Sequence, residues 1–124
     1  LISGARSSTV MERLPFLPAA DAIVMENGGR IFFEDSKRLA AAPLIEDLDW
    51  RATQVAAGPA YQIATAPADR TGALWDLFRR LDGDGWACDA KSYSTDFRVS
   101  VKKSKGKTEA DLRKIIAALP ADLT

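Results

Sequence analysis

The strongest constraint on this chain lies in its first 33 residues, where two apolar strand-like runs each end in a short polar loop. Leu1-Ile2 leads into Ser3-Gly4-Ala5-Arg6, and Asp21-Ala22-Ile23-Val24-Met25 leads into Glu26-Asn27-Gly28-Gly29. Between them Val10, Met11 and Leu14 recur at helical spacing. Ser7 or Ser8 stands where a cap belongs, Glu12 is placed to complement the first turns, and Pro15 ends the run. The second strand is short and nearly continuously apolar, as in a parallel sheet buried on both faces. Gly28-Gly29 permits a sharp turn with positive φ, and Arg30-Ile31-Phe32-Phe33 returns as its hairpin partner. Open α/β sheets bind ligands at the carboxyl ends of their strands, so two polar loops at two such ends face one crevice. Leu1-Ile2 reads as the tail of a buried strand that begins outside the sequence, which makes the chain a fragment on this reading.

Composition narrows the chemistry. The 124 residues suit one domain, or one domain with a piece of another. Seventeen basic and seventeen acidic residues cancel, so no global field draws the chain to nucleic acid or to a membrane. Arg98, Lys102, Lys103, Lys105 and Lys107 crowd one stretch, for which a solvated turn is the simpler reading. The absence of histidine excludes Ser-His-Asp and Cys-His triads, His-containing zinc sites and imidazole acid-base catalysis within these residues. Cys88 is the single cysteine, so no intrachain disulfide forms, an intracellular compartment is favoured, and a small buried side chain is expected there. No apolar run approaches the roughly 20 residues of a membrane span.

Further along, Glu34 to Arg38 is polar, and Pro43 gives a fresh start to a helix expected over 44–55, with Leu44, Leu48 and Ala52 on one face. Tyr61 to Thr65 reads as a short strand. Asp69 is placed to cap the strongest helix, 70–81, whose Leu74, Trp75, Leu77, Phe78 and Leu81 fall at three-and-four spacing; Asp82-Gly83-Asp84-Gly85 stops it. Trp86–Ala90 and Asp96–Lys102 then read as strands, the second alternating Phe97, Val99 and Val101 with Arg98, Ser100 and Lys102. Thr108 caps the last helix, with Asp111 as its capping-box partner and Leu112, Ile115, Ile116 and Leu119 as its apolar stripe. Two strands with helices on one face do not close a core alone, so a further strand is expected, from Tyr61–Thr65 or from beyond Thr124.

Most motif matches dissolve on inspection. Gly106-Lys107-Thr108 ends like a P-loop, but the required earlier glycine is Val101. Asp82-Gly83-Asp84-Gly85 begins like a calcium loop, but Tyr93 stands where the closing glutamate belongs. Trp50, Trp75 and Trp86 suit packing better than ligand stacking, while Tyr61 and Tyr93 stay open. Ser3 fares better: after a strand and before a helix, its hydroxyl and the next backbone amides suit an anion, and Arg6 adds a bidentate fork. Plain capping with a surface arginine is the competing reading of the same residues.

Those residues also carry a resemblance. Leu1-Ile2-Ser3-Gly4-Ala5-Arg6 resembles the second motif of the haloacid-dehalogenase-like phosphatases, a hydrophobic strand ending in Ser/Thr-Gly-Arg, here with Ala5 inserted. Ala22 to Phe33, AIVMENGGRIFF, is similar to the strand and hairpin through which the sugar-phosphatase branch passes into an inserted cap. Leu74 through Val101 and the final helix resemble such a cap, in the manner of sucrose-phosphatase-like members. The resemblance implies an α/β fold: a partial Rossmann-like core segment over 1–33, then an α+β cap over 34–124 with a small antiparallel sheet and helices on one face. It implies that Ser3 contacts the transferring phosphoryl oxygen and that Gly4, Arg6 and Asn27 lie on the substrate side. The aspartate nucleophile and the magnesium ligands would lie outside the chain, so the 124 residues alone would be inactive and hold no metal. The substrate implied is a phosphorylated sugar or similar metabolite. The alternative is a non-catalytic scaffold or subunit, with the Leu1 region packed against missing core or another chain.

Overall fold

The computed structural model describes residues 1–18, 20–33, 44–59 and 62–123. The polar stretch 34–38, Pro43 and Tyr61 lie outside them. The architecture is mixed α/β with two small antiparallel sheets. Helix α1 (Ser7–Arg13) runs into a 3-10 turn, Leu14–Phe16, because Pro15 has no amide to continue the ladder. Strands β1 (Ala22–Met25) and β2 (Arg30–Phe33) pair antiparallel, and β3 (Ile45–Glu46) adds to β2. Ile2 bridges Val24 in parallel. Val10 of α1 packs on Ile23, Met25 and Phe32 to form the first apolar cluster.

Register decides which side of this sheet is covered. Val24 faces Ile31, and Phe33 stands opposite both Ala22 and Ile45, so these five share the side away from Ile23 and Phe32. Phe33 and Ile45 are 46% and 65% exposed, and Ile2 is 82% exposed. The expected parallel pairing of Ile2 with β1 is present, and among the described residues only the Ile23 and Phe32 side of the sheet is fully covered.

The middle of the chain departs most from its pattern. The expected helix over 44–55 is an extended pair, β3, followed by the short helix α2 (Leu48–Thr53), which Asp47 caps by accepting from the Trp50 amide at 2.9 Å. Edge pairing to β2 and the two-pronged Arg30–Glu46 ion pair (2.8 and 2.9 Å) hold Ile45 and Glu46 out of the helix. Gln62–Ala64 is a 3-10 turn rather than a strand. Asp69 closes another such turn, Pro67–Asp69, and does not cap the main helix; Gly72, at φ 117°, precedes α3 (Ala73–Gly83). Added carbons at Gly72 would crowd the backbone of Ala56 to Gly58, so this start needs glycine both for its angle and for its space.

Helix α3 and the hairpin β4 (Ala87–Asp89) and β5 (Arg98–Ser100) build the second cluster, in which Trp75, Phe78 and Phe97 meet with ring centroids 5.3–6.3 Å apart. Cys88 lies at its edge, half-buried. No third strand joins β4–β5 among the described residues. Helix α4 (Glu109–Ala117) carries the expected capping box, Thr108 with Asp111. Its stripe stays only partly covered, Ile116 being 49% exposed.

Candidate functional site

The two opening loops do meet. Glu26 donates its amide to the Ala5 carbonyl at 3.1 Å, Ser3 donates to Val24, and an added carbon on Gly4 would collide with the Asn27 side chain. Both loops thus leave the carboxyl ends of a parallel-aligned pair, Ile2 and β1. The positive φ angles extend beyond the glycines: Glu26 (52°) and Asn27 (54°) precede Gly28 (95°), while Gly29 is ordinary at −70°. A left-handed conformation at a non-glycine residue costs about 1–2 kcal/mol, so two in succession require compensation.

The turn between β4 and β5 supplies it. The Glu26 carboxylate is buried, and its Oε2 accepts from the Ser94 amide (3.0 Å) and hydroxyl (3.2 Å) and from the Thr95 amide (2.9 Å) and hydroxyl (2.7 Å). Oε1 accepts from the Ser7 hydroxyl at 2.6 Å, and Ser7 in turn accepts from Arg30 at 3.0 Å. Asn27 donates to Asp96 at 2.6 Å, and Gly29 lies against Thr95 so closely that no Cβ fits. The two apolar clusters are separate; this polar clasp joins them.

The resemblance-derived residues occupy the same junction, with their groups engaged internally. Ser3 Oγ accepts from the Ala5 amide at 3.0 Å. Arg6 donates to Asp89 (2.6 Å) and to the Lys91 carbonyl (3.0 Å), and its guanidinium carbon sits 5.0 Å from the Tyr93 ring centroid. Arg6 is also the N-cap residue of α1, without a side-chain cap. The expected cap from Ser7 or Ser8 is therefore corrected, since Ser7 lies inside the helix with its hydroxyl turned to Glu26. Glu12 sits in the last turn of α1, not its first.

Charge is balanced unevenly around Tyr93, which is fully buried. Burial pushes the Asp89 carboxyl up, but hydrogen bonds from Arg6 and the Lys91 amide, with the charges of Arg6 and Arg98, outweigh it and hold Asp89 below its ordinary range. Arg70 is buried, donates to the Tyr93 carbonyl at 2.7 Å and stacks on Trp75; burial lowers its pKa, and Glu26 opposes that fall. Trp75 and Trp86 are core residues, and Trp50 joins elements by donating to the Gly28 carbonyl at 2.8 Å.

The sequence places Glu26 in the second loop, leaves Tyr93 open and puts Arg98 in a basic stretch, but assigns none of the three to the junction. A signal for Glu26 existed: a carboxylate ending an apolar strand, directly before Asn-Gly-Gly, cannot stay in the core without donors. Nothing local indicated that those donors lie 68 and 69 residues away. No family model, curated protein or solved structure matches the chain.

Proposed function

We propose that this chain is the second-motif and cap portion of a magnesium-dependent haloacid-dehalogenase-like phosphatase acting on a phosphorylated sugar or similar metabolite. The observation that carries the reading is the convergence of the Ser3–Arg6 and Glu26–Gly29 loops at the carboxyl ends of a parallel-aligned strand pair, with the β4–β5 turn against them. Ser3 Oγ already accepts one amide N–H, so its own O–H is left to donate to a phosphoryl oxygen. The β4–β5 turn would exclude water and contact the leaving group.

The side chains at the junction do not fit a resident magnesium. Glu26 is saturated by donors, Asp89 and Asp96 each face a donor, and no metal-binding group of acidic, cysteine or histidine side chains occurs among the described residues. The magnesium ligands would lie outside this chain. The test is phosphate release by the gene product containing this sequence, assayed on sugar phosphates and on phosphate esters with carboxylate-bearing leaving groups, with and without magnesium, together with Ser3→Ala. The expected result is magnesium-dependent turnover that Ser3→Ala lowers about 100-fold. Absence of magnesium-dependent release from every ester overturns the reading. A second reading, a non-catalytic scaffold, is favoured by the internal engagement of Arg6 and Asn27; it expects that inactive outcome.

A further inference from the structure

Arg98 opens β5 directly across from Asp89 of β4. Its guanidinium carbon lies 5.6 Å from the Tyr93 ring centroid, so Tyr93 carries two guanidiniums, those of Arg98 and Arg6. Asp89 is already engaged: Oδ2 accepts from Arg6 and Oδ1 from the Lys91 amide at 3.0 Å. Two guanidiniums thus share one carboxylate, and the cluster keeps a net positive charge at its exposed member, Arg98. Stacking on a ring fixes the plane of a guanidinium and leaves its N–H edges for a planar or tetrahedral anion. Arg98 lines an open cleft of about 620 Å³ on the β4–β5 hairpin together with the engaged Asp89, with Lys103 as a second cation and Ser100 adding a hydroxyl.

We infer that this cleft binds a second anionic group of the substrate, a carboxylate or phosphate carried by the leaving group, with Arg98 as its specificity-determining residue. The word substrate rests on the phosphatase reading; the anion site does not. Asp89, which lines this cleft, is also the acceptor of Arg6, three residues after Ser3, so a phosphate ester held at the Ser3 loop would present a charged leaving group toward Arg98. The selected class is then an anionic metabolite phosphate rather than the ester of a neutral sugar.

The 124-residue chain is titrated with D-glycerate, inorganic phosphate and glucose while the Arg98 Nε–Hε resonance is followed by NMR. A saturable shift with glycerate or phosphate, absent with glucose and weaker in high salt, is expected, and the tighter anion identifies the group. Arg98→Gln, which replaces an exposed guanidinium with a neutral amide, should abolish the saturable response at the Lys103 amide that accompanies it. No saturation at tens of millimolar, or an unchanged response in Arg98→Gln, overturns the site. In the full gene product, Arg98→Gln should raise KM about 10- to 100-fold for an ester with a carboxylate-bearing leaving group, with kcat moving far less. An equal KM rise for a neutral leaving group overturns the specificity role. Loss of the phosphatase reading alone would show as an inactive gene product whose chain still binds the anion.

Discussion

Glu26→Ala tests whether the polar clasp holds the two halves of the molecule together. The wild-type carboxylate takes four donors from Ser94 and Thr95 on Oε2 and the Ser7 hydroxyl on Oε1. A hydrogen bond to a charged acceptor contributes about 1.5–3 kcal/mol, but donors sharing one oxygen act as a unit and their values do not sum. The better guide is the removal of one partner from a buried charged cluster, about 3–5 kcal/mol. That range suits this site, because alanine also leaves the buried Arg70 guanidinium without the negative charge that offsets its burial. Glu26→Gln should behave differently. With its oxygen toward Ser94 and Thr95 and its NH2 toward Ser7, the amide keeps the four-donor side, and the Ser7 hydroxyl can accept instead of donate. Losing only the charge assistance predicts about 1–2 kcal/mol. Urea denaturation followed by tryptophan fluorescence reports on Trp75 and Trp86, and hydrogen exchange at the Ser94 and Thr95 amides reports on the clasp. Glu26→Ala costing less than about 1 kcal/mol, or glutamine costing as much as alanine, refutes the reasoning.

Three further outcomes follow from the same geometry. Asp89 has its pKa lowered in the folded state, so the Arg6–Asp89 contribution is present above the unfolded carboxyl value of about 3.9 and is lost as pH falls through the lower folded value. The stability difference between wild type and Asp89→Asn should stay within about 1 kcal/mol because the pair is partly exposed, hold steady from neutral to mildly acidic pH, and fade in strong acid; growth on acidification would contradict it. The Cys88 thiol is pushed up from 9.0 to about 11, chiefly by burial and secondarily by Asp82. Alkylation at pH 8 should therefore run about 100-fold slower than for the unfolded chain, and equal rates in buffer and denaturant would exclude that burial. Gly29→Ala should cost about 1–3 kcal/mol by overpacking against Thr95 and deprotect the Thr95 amide. At Gly28 no atom lies within 4 Å of an added carbon, but its φ of 95° disfavours any side chain, so Gly28→Ala should cost about 1–2 kcal/mol through backbone strain rather than through a clash with Thr95.

Legibility followed the range of the forces involved. The α3 stripe, the β1–β2 and β4–β5 strands and the Thr108 capping box are local patterns, and each element stands close to its expected place. The expected helix over 44–55 survives only as α2, and 62–72 holds turns in place of a strand and a helix start, because side-chain contacts overrule periodicity. Gln62 links the Ala57 and Thr71 carbonyls, Arg70 reaches Thr65 and Tyr93, and Trp75 donates to Ala57. These bonds support a chain of turns that neither helix nor strand spacing announces. The candidate site was half legible: Ser3, Gly4, Arg6 and Asn27 do gather at one junction.

The sequence by itself determined the two strand-ending loops, the α/β composition of elements and the exclusion of imidazole chemistry and of an intrachain disulfide within these residues, because those depend on residue identity and short spacing. Tertiary structure alone decided that Glu26 and Asn27 take left-handed backbone to meet the turn at Ser94–Asp96, and that Arg6 and Arg98 share Tyr93. A buried carboxylate must find donors wherever the fold brings them, and here most of them come from a turn 68 and 69 residues away.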